Sequence, residues 1–430
     1  MDTFAYRSWQ PPPVGELAGG LAYGVVPGWL RNLVAIYAIT WFIPYHVNFF
    51  VGSLTITPQK VVGIILFFYL VGGNRIRWCW IDLVALGPFV TNFVCTSLSS
   101  GTGRAVESTG RMMLDLWISF LIGRYIAQNP SIMIWFVRFV IRCLAVLSPF
   151  LAIESIFRFN IHCAVWNVPY APMTEMRFGL TRAYGWTLHP IMLGISYGAF
   201  AAPALALAIE RGKEAFRRRL YFFLILVGVL FSLSTGGWCV AFIAIMFLLW
   251  DRLGPGRRKQ RWLTAAVCVI GFYLAVVLFA DNPPMMVALY HINFLSSGWL
   301  YRWQLWDRVY AVMPGHWMLG YGEAIPAEFR GPVGWSVDNH YLLLLLTQGW
   351  FGLATWLAYA SAALWRSIRT YWLRGKGVYF DTQRGLGFTI VGFLAAGLTV
   401  GIMDTAAVMF YFIAGAASTN LSRSSQVRSR

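Results

Sequence analysis

The chain runs to 430 residues, 58% hydrophobic and only 12% charged, with a formal net charge of +17 and a mean hydropathy of +0.60. A soluble surface needs roughly a quarter of its residues charged, so these values exclude an ordinary soluble fold and predict an all-α polytopic membrane protein. The excess of Lys and Arg is divided among short runs instead of lining one groove, which argues against nucleic acid as a partner.

Residues 1–29 hold Asp2, Arg7, Glu16 and the run Pro11-Pro12-Pro13. They lack the apolar core and small-residue cleavage site of a secretory signal, so the first hydrophobic helix is expected to be uncleaved. Apolar windows of roughly 17 to 25 residues then recur about twelve times. They lie near 30–46, 50–71, 79–97, 110–127, 132–153, 188–209, 220–234, 237–250, 262–280, 340–365, 386–402 and 404–420. Two of them are short. Leu220 to Phe231 and Trp238 to Trp250 flank the turn Ser232 to Gly237, SLSTGG, and about thirteen helical residues rise only about 20 Å against a hydrocarbon core of about 30 Å. Either this is a tight hairpin joined through small residues, or Ser232, Ser234, Thr235 and the glycine amides form a polar floor beneath the loops outside.

Basic residues in short loops mark the cytoplasmic side. The runs at 210–220, 251–262, 365–377 and 421–430 all fall on one side of a twelve-span arrangement, together with Arg75 and Arg77. Both termini are therefore expected in the cytoplasm. The expected organisation is a cytoplasmic segment 1–29, nine spans within 30–280 with an outer loop 154–187, a large outer loop 281–339, three spans within 340–420 and a cytoplasmic tail 421–430. In a bacterium the outer loops face the periplasm. Arg158, Arg177, Arg182, Arg302, Arg308 and Arg330 lie there against the charge rule, and an anionic ligand at the outer membrane face is the simplest reason.

Cys79, Cys95, Cys143, Cys163, Cys239 and Cys268 show no paired spacing, so no disulfide framework is implied. Metal motifs of the H-E-x-x-H, D-x-D and EF-hand kinds are missing, as are the P-loop and the dinucleotide fingerprint.

Three constellations remain, each in an outer loop or at its junction with a helix. In RFGLTRAYGWTLHP, Arg177 to Pro190, the proline suits the first turn of a helix, with Thr187 or His189 at the cap. Arg182 there either snorkels to headgroups or, with Arg177, binds phosphate beside a helix N-terminus. In SSGWLYRWQLWDRV, Ser296 to Val309, Trp299, Trp303 and Trp306 recur at helical spacing and predict an interfacial amphipathic helix. Arg302 and Asp307 are not explained by that anchoring. In SVDNHYL, Ser336 to Leu342, Asp338 or Asn339 is a natural N-cap. Asp338 and His340 are also the titratable pair nearest the membrane surface, able to accept a proton.

In order, these segments read R-A-Y-G-x-x-x-H-P from Arg182, a small-residue turn, G-W-L-Y-R-W from Gly298, M-L-G-Y-G from Met318, D-N-H-Y-L from Asp338 and T-Q-G-W-F-G-L from Thr347. The series resembles the O-antigen ligase and Wzy-type polymerase superfamily, most closely its exopolysaccharide repeat-unit polymerases. The resemblance implies a GT-C-like fold with about twelve transmembrane helices. It also implies a glycosyltransferase, independent of metal and cofactor, in the bacterial inner membrane. Its substrate would be undecaprenyl-diphosphate-linked oligosaccharide at the periplasmic face of the bilayer, and its partners a flippase and a co-polymerase. Carried over by position, Arg182 and Arg302 hold the diphosphate with Arg177 beside them, and His340 takes the acceptor proton with Asp338 as orienter or alternative base. Asp307, His189 and Tyr341 position substrate. The ligase pattern H-N-x-Y-L reads Asp338-Asn339-His340-Tyr341-Leu342 here, which favours the polymerase branch over an O-antigen ligase. A flippase or other transporter is the non-enzyme alternative and would place ionisable groups inside spans.

Overall fold

A computed structural model of the protein describes residues 28–44, 46–52, 54–169, 176–253, 258–279, 296–329, 336–372 and 377–419. Arg330, Trp335, the N-terminal segment and the basic tail lie outside the described residues. In chain order the elements are α1 (Gly28–Thr40), β1 (Phe49–Val51), β2 (Leu54–Ile56), α2 (Pro58–Gly72), α3 (Trp80–Val84), α4 (Gly87–Ser100), α5 (Thr102–Met112), a π turn Met113–Trp117, α6 (Ile118–Ala127), α7 (Pro130–Phe157), α8 (Ile161–Val165), β3 (Met176–Arg177) and β4 (Leu180–Thr181). There follow α9 (Pro190–Ala199), α10 (Ala201–Ala208), α11 (Ala215–Phe231), α12 (Thr235–Arg252), α13 (Arg258–Phe279), α14 (Ser296–Val312), α15 (His340–Ser367), α16 (Val378–Ala396) and α17 (Asp404–Ala417).

The helices start where local chemistry lets them. Thr57, Asn129, His189 and Asn339 each accept a backbone N–H of the first turn, and three of these caps precede a proline whose missing N–H costs a helix start nothing. Each of the twelve apolar windows contains a helix. Five helices are long and apolar enough to cross a membrane: Trp80–Ser100, Pro130–Phe157, Pro190–Ala208, Thr235–Arg252 and His340–Thr370. Pro58–Gly72 and Asp404–Ala417 are shorter apolar helices. A chain with this many apolar helices is a multi-pass membrane protein.

Two small antiparallel hairpins qualify the all-α expectation. One pairs Phe49 with Ile56 and the other Arg177 with Leu180. The first occupies the start of the window at 50–71, where Asn-Phe-Phe-Val-Gly-Ser-Leu-Thr-Ile is rich in β-branched and aromatic residues and Gly52 turns at φ 62°. An apolarity window reads hydrophobicity and not period, so it merged hairpin and helix.

The predicted span at 188–209 is also divided. Pro203 has no N–H to offer the Ala199 carbonyl, and the backbone departs from helix at Phe200, φ −104° and ψ 3°. The hydroxyl of Thr389 on α16 donates to that carbonyl at 3.1 Å. A carbonyl freed inside an apolar bundle needs such a partner. The main core gathers Tyr37, Trp41, Phe136, Phe200 and Phe412, all essentially without exposed surface. Trp41 meets Phe412 edge to face at 5.1 Å and Phe136 at 5.8 Å. A second cluster seats Leu305 and Val309 of α14, with Met313 just after it, on Leu342, Leu345 and Leu346 of α15, which fixes α14 over the first turns of α15.

Candidate functional site

The segment bearing Arg182 is held from below by a buried carboxylate. Glu154, 1% exposed near the end of α7, accepts the backbone N–H of Tyr184 at 3.1 Å and that of Gly185 at 3.0 Å. Asn160 donates one side-chain N–H to Glu154 at 3.1 Å and reaches the Gly185 carbonyl at 2.8 Å. Ser155 donates to the Thr181 carbonyl at 2.6 Å. Backbone amides with no ladder of their own are costly when buried, so these bonds fix the path of residues 181–185. His189 then starts α9, its Nδ1 accepting Ile191 N–H at 3.2 Å, while Thr187 donates to the Tyr184 and His189 carbonyls.

The same segment docks on the turn between α11 and α12. Ala183 N–H donates to the Phe231 carbonyl at 3.1 Å, and Arg177 Nη1 to the Leu233 carbonyl at 2.7 Å. The turn is tight because Leu233 takes φ 46°. It sits against α9 because Gly237 and Gly194 bring the two backbones together: a Cβ added at Gly237 would lie 2.5 Å from the Gly194 carbonyl carbon. The small residues therefore join α12 to α9, where the sequence suggested a contact across the hairpin itself. Ser234 opens α12 with its hydroxyl buried and without a hydrogen-bond partner among the described residues.

Arg302 of α14 approaches from the other side. Its Nε donates to the Thr399 carbonyl at 2.8 Å, in the connection between α16 and α17. Burial pulls its guanidinium below the ordinary arginine value, the charge of Asp338 opposes that, and the like charge of Arg177 adds to it. Arg177, Arg302, Asp338 and Tyr301 thus share one electrostatic neighbourhood. Burial, with Asp338 next, raises the Tyr301 phenol, whose hydroxyl donates to the Ser336 carbonyl at 2.6 Å. Asp338 is half-buried and accepts the Ser336 hydroxyl at 2.6 Å. The cap of α15 is Asn339, which accepts Tyr341 N–H at 3.0 Å and Leu342 N–H at 3.1 Å, so Asp338 is not committed to helix capping.

His340 shares the 397–402 connection with Arg302. Its backbone N–H meets the Gly397 and Val400 carbonyls, and its Nδ1 accepts Ile402 N–H at 3.3 Å. A neutral imidazole accepting at Nδ1 carries its proton on Nε2. That Nε2–H is buried without a partner among the described residues, and the ring lines a cavity of about 530 Å³ with Trp356, Phe410, Tyr411 and Gln348. In this tautomer His340 donates.

The first half of α15 is held in place by a break. Gly349 has φ 62° and ψ −163°, which interrupts the helix and frees groups on either side. The loop 317–322 takes them up. Tyr321 N–H donates to the Leu346 carbonyl at 2.9 Å and Gly322 N–H to the Thr347 carbonyl at 2.7 Å. The Trp317 and Met318 carbonyls accept Trp350 N–H at 2.8 Å and Phe351 N–H at 3.2 Å. Backbone approach this close excludes side chains on both strands of the contact: a Cβ at Gly349 would lie 2.4 Å from the Met318 carbonyl and one at Gly320 2.5 Å from Gln348 N. The segments M-L-G-Y-G and T-Q-G-W-F-G-L are thus two halves of one joint.

Of the residues singled out from sequence, Arg177, Arg302 and Asp338 come together, Arg182 lies buried on the segment that docks beside them, and His340 borders the same connection from the cavity side. His189 is the cap of α9, and the Tyr341 hydroxyl donates to the Leu394 carbonyl. Asp307 is exposed, roughly 140° round α14 from Arg302. Glu154 and Asn160 escaped sequence reasoning. The available signal was an isolated acid within a long apolar helix, which calls for a partner. Among the described residues no three His, Cys, Asp or Glu side chains gather as metal ligands would.

Residues 220–357 match the Wzy_C family, described as O-Antigen ligase. The matched stretch runs from α11 through the first half of α15 and includes the 232–237 turn, Arg302, Asp338, His340 and the Gly320–Gly349 joint. No curated protein matches the chain.

Proposed function

We propose that the protein is a polysaccharide polymerase that joins undecaprenyl-diphosphate-linked oligosaccharide repeat units at the periplasmic face of the inner membrane. The observation that carries this reading is the gathering of Arg177 and Arg302 with one carboxylate, Asp338, beside the segment of Arg182, with Arg302 and Asp338 inside the stretch 220–357 that matches the O-Antigen ligase family. A cluster of arginines suits a diphosphate, because guanidinium forks bind phosphate oxygens bidentately. The acceptor sugar hydroxyl attacks the anomeric carbon of the lipid-linked donor. The bond from that carbon to the diphosphate breaks, and the electron pair leaves with undecaprenyl diphosphate. Arg182, Arg302 and Arg177 neutralise the charge that grows on the leaving group, where stabilisation lowers the barrier most. Asp338 takes the acceptor proton, and His340 contributes an Nε2–H that orients a sugar oxygen. Both termini lie in the cytoplasm, a flippase supplies lipid-linked units and a co-polymerase sets their use.

A second reading is favoured by the family description itself: an O-antigen ligase would use the same donor site and pass the glycan to a lipid A core or other acceptor. The lipid-linked glycan profile of a deletion strain separates the two. A polymerase leaves single lipid-linked repeats to accumulate, whereas a ligase leaves long unattached polymer. A profile with neither, and with repeats trapped on the cytoplasmic side, would mean transport instead.

A further inference from the structure

At the end of the bundle opposite Arg302, a second cluster of arginines surrounds a cleft between α7, α10 and α11. Arg138 and Arg142 stand four residues apart on α7 and so share a face, and Arg217 and Arg218 lie in the first turn of α11; with Glu214 and Tyr221 they line the cleft. Two carboxylates answer these four guanidinium groups. Glu210 accepts Arg218 at 2.6 Å and faces Arg138 at 3.7 Å, and Glu214 pairs with Arg217 at 2.5 Å. Among the described residues two positive charges are left over. The Nε groups of Arg138 and Arg218 are also buried without acceptors among the described residues, although each is a donor that costs free energy when left unpaired.

The rule that places basic residues on the cytoplasmic side accounts for charges in loops, but Arg138 and Arg142 are not in a loop. They lie about 12 and 18 Å along α7 from its start. That helix has 28 residues and spans about 42 Å against a hydrocarbon core of about 30 Å; a surplus of about 12 Å at this end sets Arg138 at the headgroup boundary and Arg142 about one turn below it, from where its long side chain snorkels outward. The enclosed space is only about 20 Å³, room for about one water molecule. A ligand therefore rests across the mouth and is not swallowed by it.

We propose that this cleft binds the phosphodiester headgroup of an anionic phospholipid, with a doubly charged headgroup such as that of cardiolipin the best match to the excess of two charges. The phosphate oxygens accept from the guanidinium groups at the rim, and the acyl chains follow the apolar surface of α7 and α11. Basic clefts between spans at this level suit such headgroups.

The test uses the full-length protein purified in detergent. Native mass spectrometry measures retention of cardiolipin, phosphatidylglycerol and phosphatidylcholine by the wild type and by the Arg138→Gln/Arg142→Gln double variant, and thermal unfolding is followed with each lipid and with inorganic phosphate. The wild type is expected to retain cardiolipin over phosphatidylcholine and to be stabilised by it. The double variant should bind it about tenfold more weakly, as expected for losing one or two charge-assisted contacts. Arg217→Gln, on the exposed rim, gives the same reading at smaller amplitude if the double variant fails to fold. Equal cardiolipin retention by variant and wild type overturns the proposal, as does equal retention of phosphatidylcholine. Stabilisation by millimolar inorganic phosphate that displaces cardiolipin overturns the lipid as the source of the phosphate.

Discussion

Replacing Glu154 by Ala removes one acceptor from three donors at once: the Tyr184 and Gly185 amides and the Asn160 side chain. Each buried donor left without an acceptor costs about 1–3 kcal/mol. Asn160 keeps its bond to the Gly185 carbonyl, so the two backbone amides set the cost, about 2–6 kcal/mol. Total stability is about 5–15 kcal/mol, so residues 181–185 should detach before the bundle melts. A loss of 3 kcal/mol lowers the docking equilibrium constant about a hundredfold or more, and Arg182 is released whenever the segment detaches. Glu154→Gln retains one acceptor oxygen and should fall between the two. Polymer yield and lipid-linked repeats from a deletion strain carrying each variant measure the functional loss. Thermal unfolding of the purified proteins measures the structural one. Wild-type polymer yield and melting temperature in Glu154→Ala would refute the reasoning, because the carboxylate would then be holding nothing the site needs.

The joint in α15 gives a second expectation: Gly349→Ala and Gly320→Ala should each destabilise by about 2–5 kcal/mol, from overpacking and a left-handed backbone, and thermal unfolding checks it. The predicted roles of Asp338 and His340 separate by rate. Asp338→Asn should slow undecaprenyl diphosphate release by about 10²–10⁴, whereas His340→Ala should lose about ten- to a hundredfold, the worth of one donor. Equal losses would remove the distinction. His162, buried against Trp186 and Phe150, has its pKa lowered from 6.5 to about 4 by burial. Between those values the unfolded chain binds the extra proton, so stability is full above pH 6.5 and falls as the pH drops toward 4. The loss from pH 7 to 5 is about 2 kcal/mol, and melting temperatures of wild type and His162→Gln across that range should diverge, the variant being the flatter.

The apolar helices were legible because a hydrocarbon layer demands long apolar windows, and Arg177, Arg182 and Arg302 stood out because the charge rule predicts few basic residues in the loops it assigns to the outer side. What the sequence hid are relations between distant residues. Glu154 is one acid near the end of an apolar helix, and nothing local says that its acceptors serve amides about thirty residues on. The His340 tautomer depends on Ile402 N–H, which no motif around Asp338 contains. Gly320 and Gly349 each read as an ordinary turn or helix glycine until the loop is seen lying in the break. The hairpin at 49–56 was missed for a different reason, since apolarity alone does not distinguish periods of 2 and 3.6.

The central claim is that donor and acceptor are both lipid-linked repeat units. The direct measurement is a reaction of the purified protein in lipid nanodiscs with undecaprenyl-diphosphate-linked repeat units alone, following released undecaprenyl diphosphate and glycan length. The account predicts release with products of two or more repeats, and loss of both in Arg302→Ala. No release until a separate glycan or lipid A core acceptor is added would contradict it.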